Sequence, residues 1–307
     1  VMTHWARIYE ALRPLAEHFH AGRNFVLCRQ AGAEVVAQFD DGTEAEGHLL
    51  IAADGLRSTL RPQLMPDAQP RYAGYVGWRG LPGESALTPA VHRELTAKSI
   101  FCLPPREMML GSPVAGFANS TRPGERCLNF GWYRPADEAR ELARLCTDVK
   151  GRRHDMSVPP PLIRPEVLAA LRHAARETLS PQLAEVVRFT RQPFFQPIFD
   201  VESPRMALGR VALAGDAAFV ARPHVGMGVT KGAGDAIALV ESLVESGNGV
   251  PSALARYEAR RLRFNSAVVA HARELGAWLE GIDTPAARRH QTPEAVMAEI
   301  AVTRDYP

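Results

Sequence analysis

The sequence is poor in the features that mark disulfide-rich and metal-binding proteins. Four of its 307 residues are cysteines, and they stand far apart, at positions 28, 102, 127 and 146. None forms a Cys-x-x-Cys pair or has a histidine at metal-ligand spacing, which argues against a disulfide framework and a zinc site. We therefore expect no bound metal and a location in the reducing cytoplasm.

Long apolar runs and an excess of one charge are also missing. No apolar stretch approaches the roughly 20 residues that a membrane helix needs, and the first residues do not have the pattern of a signal peptide. Lysine and arginine number 36 against 34 aspartates and glutamates. This balance offers no basic surface for nucleic acid. We expect neither a membrane nor a nucleic acid among the partners.

The first 70 residues combine helical and strand patterns. Helical spacing begins near Trp5, with Thr3 as a candidate cap, and strand-like runs follow it. One of them, the continuous apolar run at 48–53, is typical of a strand buried on both faces of a sheet.

The pattern changes from residue 71 onward. Short strands separated by proline and glycine predict an antiparallel or mixed sheet in this region. The run at 192–201 contains two prolines, which favours an edge strand.

Helical spacing predicts five further helices. They are at 137–146, 165–176, 181–188, 226–245 and 252–280, and the tail after residue 284 is weakly patterned.

The most informative stretch spans residues 209–235. An apolar strand leads into Gly215-Asp216, then into a proline-containing loop and a glycine-rich helix start. This order places a carboxylate at the end of a buried strand and a helix N-terminus just after it, where open α/β sheets bind ligands. Asp216 either accepts hydrogen bonds from ligand hydroxyl groups or only caps its own turn.

The loop that follows reads Pro223-His224-Val225-Gly226-Met227-Gly228. It precedes a helix whose free N–H groups favour an anionic atom, and its glycines let the backbone touch a flat ligand such as a flavin. A tightly packed turn is the structural alternative. His224 is either an acid or base within this loop or an ordinary hydrogen-bonded loop residue.

A second motif repeats this order earlier in the chain. Asp54-Gly55 ends an apolar run, and Arg57, Ser58 and Arg61 follow at a helix start. A guanidinium group is suited to phosphate, so both arginines are candidates for contacts with a phosphorylated ligand. Asp-Gly after a strand is also ordinary turn chemistry.

An aromatic group lies in the sheet-rich region. It consists of Tyr72, Tyr75, Trp78 and Phe101. These side chains either line a pocket for an aromatic substrate or belong to the core, which is the commoner use of such residues.

Taken together, the motifs match a known pattern. Asp54-Gly55-x-x-Ser58-x-x-Arg61 and Gly215-Asp216-Ala217-Ala218, with Pro223-x-x-Gly226-x-Gly228, resemble the two internal fingerprints of single-component FAD-dependent aromatic hydroxylases, the p-hydroxybenzoate hydroxylase type. Their order, their spacing and the sheet-rich segment between them fit as well. Segments 72–80, 196–200 and 219–224 are most similar to the hydroxypyridine hydroxylases, the 2,6-dihydroxypyridine 3-monooxygenase branch.

The resemblance implies an α/β flavin-hydroxylase fold and assigns roles by position. Asp216, beside Gly215, holds the ribityl chain of FAD, and the Pro223 backbone lies beside the reactive face of the flavin. The pyrimidine edge is contacted by Gly226, Met227 and Gly228, and the element that serves both FAD and NADPH contains Asp54, Gly55 and Arg61. Pro223 and His224 are the candidates for the catalytic position.

The implied chemistry is that of a flavin monooxygenase. NAD(P)H reduces FAD, molecular oxygen is captured as a flavin C4a-hydroperoxide, and a hydroxyl group passes to an electron-rich ring. The predicted substrate is a small aromatic or N-heteroaromatic compound, with a hydroxypyridine as the favoured class. A hydroxylase of benzoate- or salicylate-type phenols and a catalytically inactive flavin-fold remnant that serves as a binding module are the alternatives. A homodimer is left open.

One element of the family pattern is missing. The family begins with a strand, Gly-x-Gly-x-x-Gly and a helix, a unit of roughly 30 residues that holds the ADP half of FAD. No such motif follows a strand in this sequence. We therefore expect an N-terminally truncated form that binds FAD weakly or not at all.

The chain is divided into four segments on this interpretation. They are a partial FAD-binding Rossmann-type domain (1–70), a substrate-binding domain of mixed or antiparallel sheet (71–195), a return to the FAD-binding domain (196–247), and a C-terminal helix and tail (248–307).

Overall fold

The computed structural model describes residues 5–117, 119–247, 249–300 and 306. Thr3, the candidate helix cap, lies outside these ranges. The strands are β1 (Phe25–Ala31), β2 (Glu34–Phe39), β3 (Glu44–Gly47), β4 (Leu50–Ala52), β5 (Arg71–Gly80), β6 (Ile100–Cys102), β7 (Met108–Val114), β8 (Cys127–Pro135), β9 (Phe194–Glu202), β10 (Ala207–Leu208), β11 (Val211–Leu213) and β12 (Phe219–Val220).

The helices complete an α/β architecture, as the sequence predicts. They are α1 (Trp5–Leu12), α2 (Arg61–Leu64), α3 (Pro89–Leu95), α4 (Ala143–Leu145), α5 (Pro165–Thr178), α6 (Pro181–Phe189), α7 (Gly228–Glu245), α8 (Val250–Glu280), α9 (Pro285–Arg289) and α10 (Pro293–Glu299). The helix predicted at 137–146 is a π-helical turn, Glu138–Leu142, followed by α4. Among the described helices, none has the length and apolar character that crossing a bilayer requires.

Two small sheets lie in the first segment and its return. Strands β1, β2 and β3 form an antiparallel sheet, and β10, β11 and β4 form another. In the second sheet β4 runs parallel to β11, with Leu213 opposite Ala52. Because parallel strands end at the same edge of a sheet, the Asp54 and Asp216 motifs are brought side by side.

The prediction that residues 48–53 are buried on both faces is wrong. Ile51, in the middle of β4, is 48% exposed. The reason is that successive side chains of a strand point to opposite faces, and the face that carries Ile51 borders a cavity instead of a packed core. Ile51 borders a separate small cavity of about 200 Å³ beside Phe25 and Phe39.

The sheet-rich region forms one antiparallel sheet in the order β12-β9-β5-β8-β7-β6. The predicted edge character of 192–201 is correct around Pro197, which pairs with β5 alone. It is wrong at Val201, where β12 adds to the outer side of β9. Proline is tolerated at position 197 because no neighbouring strand needs its missing N–H there. The predicted domain boundary at 195/196 falls within β9.

The two faces of the sheet have different neighbours. One face carries Val76, Trp78 and Phe195 into a core shared with α5 and α6. The other presents Tyr75, Tyr133 and Ile198, which pack against Leu275 and other apolar residues of α8. Alternate residues of β5 therefore serve either the core or the opposite face, where the candidate site lies.

The segment after residue 284 is more ordered than the sequence pattern predicts. Thr284 and Thr292 cap α9 and α10, each accepting a hydrogen bond from a backbone N–H three residues on. Ala287 and Val296 pack into the same apolar cluster as α8.

Candidate functional site

A cleft of about 920 Å³ lies where the parallel β4–β11 pair meets the open face of the large sheet. It is lined by residues of both predicted motifs, namely Asp54, Leu56, Arg57, Asp216, Pro223, Gly226 and Gly228. The opposite wall comes from the large sheet and the segment before α5, and includes Arg79, Ser157, Phe194, Gln196 and Ile198. The structure thus gathers the two motifs, 162 residues apart from Asp54 to Asp216, around one cavity.

The Gly215-Asp216 element forms a tight turn at the end of β11. Gly215 has φ +60°, a left-handed conformation that favours glycine, and its N–H donates to Asp235 Oδ2 at 2.9 Å. A Cβ at Gly215 would lie 3.9 Å from the Cα of Gly232 on α7. That is an ordinary contact, so the left-handed φ is what favours glycine here, and the turn leaves Asp216 half exposed at the cleft.

A buried polar network lies below Asp216. The Lys231 side chain is 0% exposed, and its Nζ lies 3.9 Å from Asp216 Oδ1 and 4.0 Å from Asp235 Oδ2. Asp235 Oδ1 accepts hydrogen bonds from Arg261 and Asn265 of α8. Sequence reasoning missed this network, although the spacing of Lys231 and Asp235, four residues apart on one helix, is a usable signal.

The charges in this network influence one another. Burial lowers the pKa of Lys231, while Asp235 and Asp216 oppose that change. Burial also raises the pKa of Asp216, which the Lys231 charge counteracts. Lys231 Nζ has no hydrogen-bond partner within the described ranges. The ammonium group is therefore positioned to keep the cleft carboxylate ionised.

The loop before α7 presents backbone rather than side chains to the cleft. Residues Pro223–Val225 form a 3₁₀ turn, and Gly226 follows with φ +67°. The helix begins at Gly228 without a side-chain cap or an acidic residue in its first turn. Its first N–H groups and positive dipole end are therefore available to an anionic atom. The Met227 side chain is buried in the apolar cluster, so only its backbone can serve the cleft.

His224 does not line the cleft. Its side chain is 0% exposed, its Nε2 shares a 2.7 Å hydrogen bond with the Tyr75 hydroxyl, and its ring packs against Tyr133. Burial lowers the pKa of His224 to about 3, helped by the nearby charges of Arg222 and Arg79. A neutral, buried imidazole is not placed to exchange a proton with a ligand, so the catalytic prediction for His224 is not supported by its position. Pro223 does line the cleft.

Arg61 is also buried, and every nitrogen of its guanidinium has a protein acceptor. Its guanidinium donates to the carbonyl oxygens of Ala68, Leu56 and Ala217 at 2.8 to 3.0 Å. The expected phosphate contact therefore needs correction, because the guanidinium is buried and each of its three nitrogens already donates to a protein carbonyl oxygen. Arg61 instead joins the Asp54 motif to the Gly215-Asp216 turn. Arg57 is exposed and lines the cleft.

Asp54 holds the turn that follows β4. Its Oδ2 accepts hydrogen bonds from the N–H groups of Thr59 and Leu60 at 2.8 and 3.3 Å. Gly55 has φ +77° in this turn. Asp54 thus shapes the loop and lines the cleft at the same time.

A second charged group, centred on Arg222, was missed by sequence reasoning. Arg222 lines the cleft and pairs with Asp200 at 2.9 Å and with Glu280 at the end of α8. Asp200 also binds Arg273 of α8 at 2.6 Å. Arg222, which directly precedes Pro223, is therefore held by ion pairs to both β9 and α8.

The sequence left open whether the aromatic residues of the sheet line a substrate pocket or pack in the core. Trp78 belongs to the core on the far face of the sheet, and Tyr72 packs on Phe199 with ring centroids 5.5 Å apart. Phe101 is 39% exposed on β6 and does not line the cleft. Tyr75 lies beneath the cleft with His224. Phe194 and Phe199 are the aromatic side chains that line it.

Comparison with known proteins identifies the family. A family model described as FAD binding domain-like matches residues 72–200. The 2,6-dihydroxypyridine 3-monooxygenase of Paenarthrobacter nicotinovorans is 33% identical over 273 residues, which make up 89% of this chain and 67% of that protein. The chain belongs to the family of FAD-dependent aromatic monooxygenases.

Solved structures agree with this assignment. The 2,6-dihydroxypyridine-3-hydroxylase from Arthrobacter nicotinovorans matches with a TM-score of 0.84 at 30% identity, over 91% of this chain and 71% of that one. Klebsiella pneumoniae HpxO, complexed with FAD and uric acid, matches with a TM-score of 0.69 at 25% identity, over 95% of this chain and 66% of that one. The predicted flavin-hydroxylase fold is therefore confirmed.

The match covers only part of each relative. The FAD-dependent urate hydroxylase of Klebsiella pneumoniae is 31% identical over 243 residues, which are 78% of this chain and 54% of that protein. The chain thus spans between about half and two thirds of the length of these curated relatives.

The residues around the cleft fit the flavin end of FAD. The cleft has the volume of a typical small-molecule site. The glycine backbone before α7 can approach a flat ring, and the Asp216 carboxylate with the buried Lys231 behind it suits a polyol chain. In the described ranges, no cluster of residues could hold a metal ion.

Proposed function

We propose that this chain forms the flavin-ring and substrate portion of an FAD-dependent hydroxylase that acts on an electron-rich aromatic ring, with a hydroxypyridine as the favoured substrate class. The observation that carries the proposal is that Asp54, Asp216, Pro223, Gly226 and Gly228 line one cleft. Molecular oxygen and NAD(P)H are the co-substrates. When bound, FAD supplies the activation of oxygen and the transfer of a hydroxyl group.

Each cleft residue has a role that follows from its position. Asp216 accepts hydrogen bonds from the ribityl hydroxyls, and Lys231 keeps it ionised. The N-terminus of α7, with the backbone of Met227 and Gly228, stabilises negative charge on the pyrimidine edge. Pro223 packs beside the ring, and the apolar side chains of Phe194 and Ile198 exclude water from the substrate side.

The Asp54 loop serves the cofactor and co-substrate from the other side. Asp54 shapes the loop through its hydrogen bonds to Thr59 and Leu60, and Gly55 permits the turn. Arg57 is the exposed cation available for a phosphate of FAD or NAD(P)H. Arg61 positions this loop against the Gly215-Asp216 turn without touching the ligand.

The preference for a hydroxypyridine is supported by the relatives. The 2,6-dihydroxypyridine 3-monooxygenase is 33% identical to this chain, and the fold of the corresponding solved hydroxylase matches with a TM-score of 0.84. The proposed location is the cytoplasm. The four cysteines support this location, because all of them are free thiols, as is usual in a reducing compartment.

The test measures FAD binding and turnover separately. Titration of the purified chain with FAD, followed by flavin fluorescence, should show weak but saturable binding that Asp216→Asn weakens further and Asp67→Asn, an exposed control outside the cleft, leaves unchanged. NAD(P)H oxidation should then be stimulated by 2,6-dihydroxypyridine more than by salicylate or 4-hydroxybenzoate. Binding without stimulation by any ring would favour the binding-module alternative, and stronger stimulation by salicylate would favour the phenol hydroxylase. Equal FAD binding by the Asp216 variant would overturn the site.

A further inference from the structure

Arg79 is a cleft-lining cation without an acidic partner in the described part of the chain. It lies on β5, opposite Phe194 of β9, and both residues line the cleft. No carboxylate of the described residues lies within salt-bridge distance of its guanidinium, unlike Arg222, which pairs with Asp200 and Glu280. An unpaired cation at a cavity wall favours an anionic group on the ligand.

The position of the Arg79 guanidinium is fixed by its neighbours. Its Nη2 donates to the hydroxyl of Tyr133 at 2.9 Å, and its Cζ lies 5.2 Å from the centre of the Tyr133 ring. Tyr133 is 2% exposed and packs at right angles to Tyr75, with ring centroids 6.3 Å apart. A buried aromatic pair therefore holds the guanidinium in place, and among the described residues its other N–H groups have no hydrogen-bond partner, so they are available to a ligand.

Two glycines of the sheet make room for this arrangement. A Cβ at Gly131 of β8 would lie 2.5 Å from Arg79 Nη1, and a Cβ at Gly77 of β5 would lie 2.9 Å from the ring of Tyr133. Any larger residue at either position would displace the guanidinium or the ring. The absence of side chains at Gly131 and Gly77 therefore leaves the space that the Arg79 guanidinium and the Tyr133 ring occupy.

The surrounding wall is suited to an aromatic ring. Phe194 and Ile198 are apolar and Gln196 adds an amide, while Pro223 approaches from the loop before α7. A flat ligand that packs on these side chains can direct an oxygen substituent at the free donors of Arg79.

We propose that Arg79 determines substrate specificity by binding an anionic oxygen on the aromatic ring, so that the ligand is recognised with an ionised hydroxyl or a carboxylate. This inference rests on the proposed function for the reaction that follows binding. To the proposed function it adds two points: the substrate is bound as an anion, and Arg79 is the residue that selects the anion.

The experiment measures binding without turnover. The purified chain is titrated, with and without FAD, with 4-nitrophenol, whose colour reports the ionisation of its hydroxyl, with benzoate, and with 4-nitroanisole as a neutral analogue. We expect the chain to lower the apparent pKa of bound 4-nitrophenol and to bind the phenolate at least about tenfold more tightly than 4-nitroanisole. Comparison of 4-nitrophenol with benzoate distinguishes an ionised hydroxyl from a carboxylate as the preferred group.

Variants at position 79 test the residue itself. Arg79→Gln should remove the preference for the anion, and Arg79→Lys should retain part of it, since the charge remains but the planar group is lost. Arg71→Gln, an exposed control on the same strand, should behave as the unsubstituted chain. Thermal melting curves verify that each variant is folded.

The outcomes separate this inference from the proposed function. Tight anion binding that depends on Arg79, in a chain that hydroxylates no ring, would support the inference and contradict the proposed function. Hydroxylation of a ring by the chain, together with an unchanged preference for the anion in Arg79→Gln, would support the proposed function and contradict the inference. Equal affinity for 4-nitrophenol and 4-nitroanisole, or no binding of either with or without FAD, would overturn the inference.

Discussion

Lys231 Nζ lies 3.9 Å from Asp216 Oδ1, with the ammonium group fully buried and the carboxylate half exposed at the edge of the cleft. The pair connects the interior of the α7–α8 helix pair to the ligand site. Because burial lowers the pKa of Lys231 and raises that of Asp216, each group depends on the other to remain charged.

Lys231→Met should weaken FAD binding and lower the stability of the fold. The substitution leaves the buried Asp235 carboxylate with Arg261 and Asn265 but without the ammonium group, so the free energy of unfolding should fall by about 3 kcal/mol. Loss of the positive charge raises the pKa of Asp216 further, so the carboxylate becomes protonated at a higher pH. The affinity for FAD should therefore fall more steeply in the variant as the pH is lowered.

Fluorescence titrations of FAD across the acid range check this expectation. Lys150→Met, at an exposed position, is the control. A variant whose FAD affinity has the same pH dependence as the unsubstituted chain would show that Lys231 does not act on Asp216.

Arg61→Gln should destabilise the fold by about 3 kcal/mol. The substitution leaves carbonyl oxygens of Leu56, Ala68 and Ala217 without their charged donor in a buried site. Chemical denaturation monitored by tryptophan fluorescence measures the loss, with Arg57→Gln at the exposed neighbouring arginine as the control. Unchanged stability together with weaker NAD(P)H binding would instead support a direct contact between Arg61 and a phosphate of the ligand.

His224→Gln should flatten the dependence of stability on pH. The pKa of His224 is lowered from 6.5 to about 3 in the folded chain, so the unfolded state binds the proton first as the pH falls. Stability contributed by the neutral imidazole is complete above pH 6.5 and is lost at about 1.4 kcal/mol per pH unit below it, down to about pH 3. Unfolding free energies in the upper part of this range, with the exposed His18→Gln as control, provide the measurement. An identical slope in the variant and the unsubstituted chain would contradict the burial of a neutral His224.

Gly131→Ala should impair anion binding at little cost in stability. The added methyl group would lie 2.5 Å from Arg79 Nη1, the end of a flexible side chain that can move away. We expect a change of less than about 1 kcal/mol in the free energy of unfolding, because the strand itself is not strained. The preference for 4-nitrophenolate over 4-nitroanisole should decrease as the guanidinium leaves Tyr133. Gly83→Ala, where the new Cβ has only an ordinary contact with Ser85, is the control, and an undiminished preference in Gly131→Ala would show that the guanidinium position is not selective.

The sequence predicts the part of the site that depends on local order. Asp54 and Asp216 each follow an apolar run, and strand pairing at Ala52 and Leu213 places them at one edge. The role of Arg61 could not be predicted, because one of its acceptors, Ala217, is 156 residues away. The sequence allows His224 to be a hydrogen-bonded loop residue, but it does not show that Tyr75 and Gly276 of α8 pack against the ring.

Other differences have identifiable local signals. The Thr284-Pro285 and Thr292-Pro293 pairs are typical of helix starts, with a capping side chain followed by proline in the first turn, and they could have predicted α9 and α10. The exposure of Ile51 could not be predicted in this way. An apolar run shows what a strand can bury and gives no information on whether another element packs against each face.

The junction at Arg222 affects how the cleft receives a ligand. The Arg222 guanidinium pairs with Asp200 in β9 and Glu280 at the end of α8, and Arg222 directly precedes Pro223, so this one residue ties the Pro223 loop to two other elements. A ligand that enters therefore meets a rigid surface and loses little affinity to ordering the protein. Discrimination between similar rings should consequently depend on the shape and charge of the ligand, because this side of the cleft has little freedom to adapt.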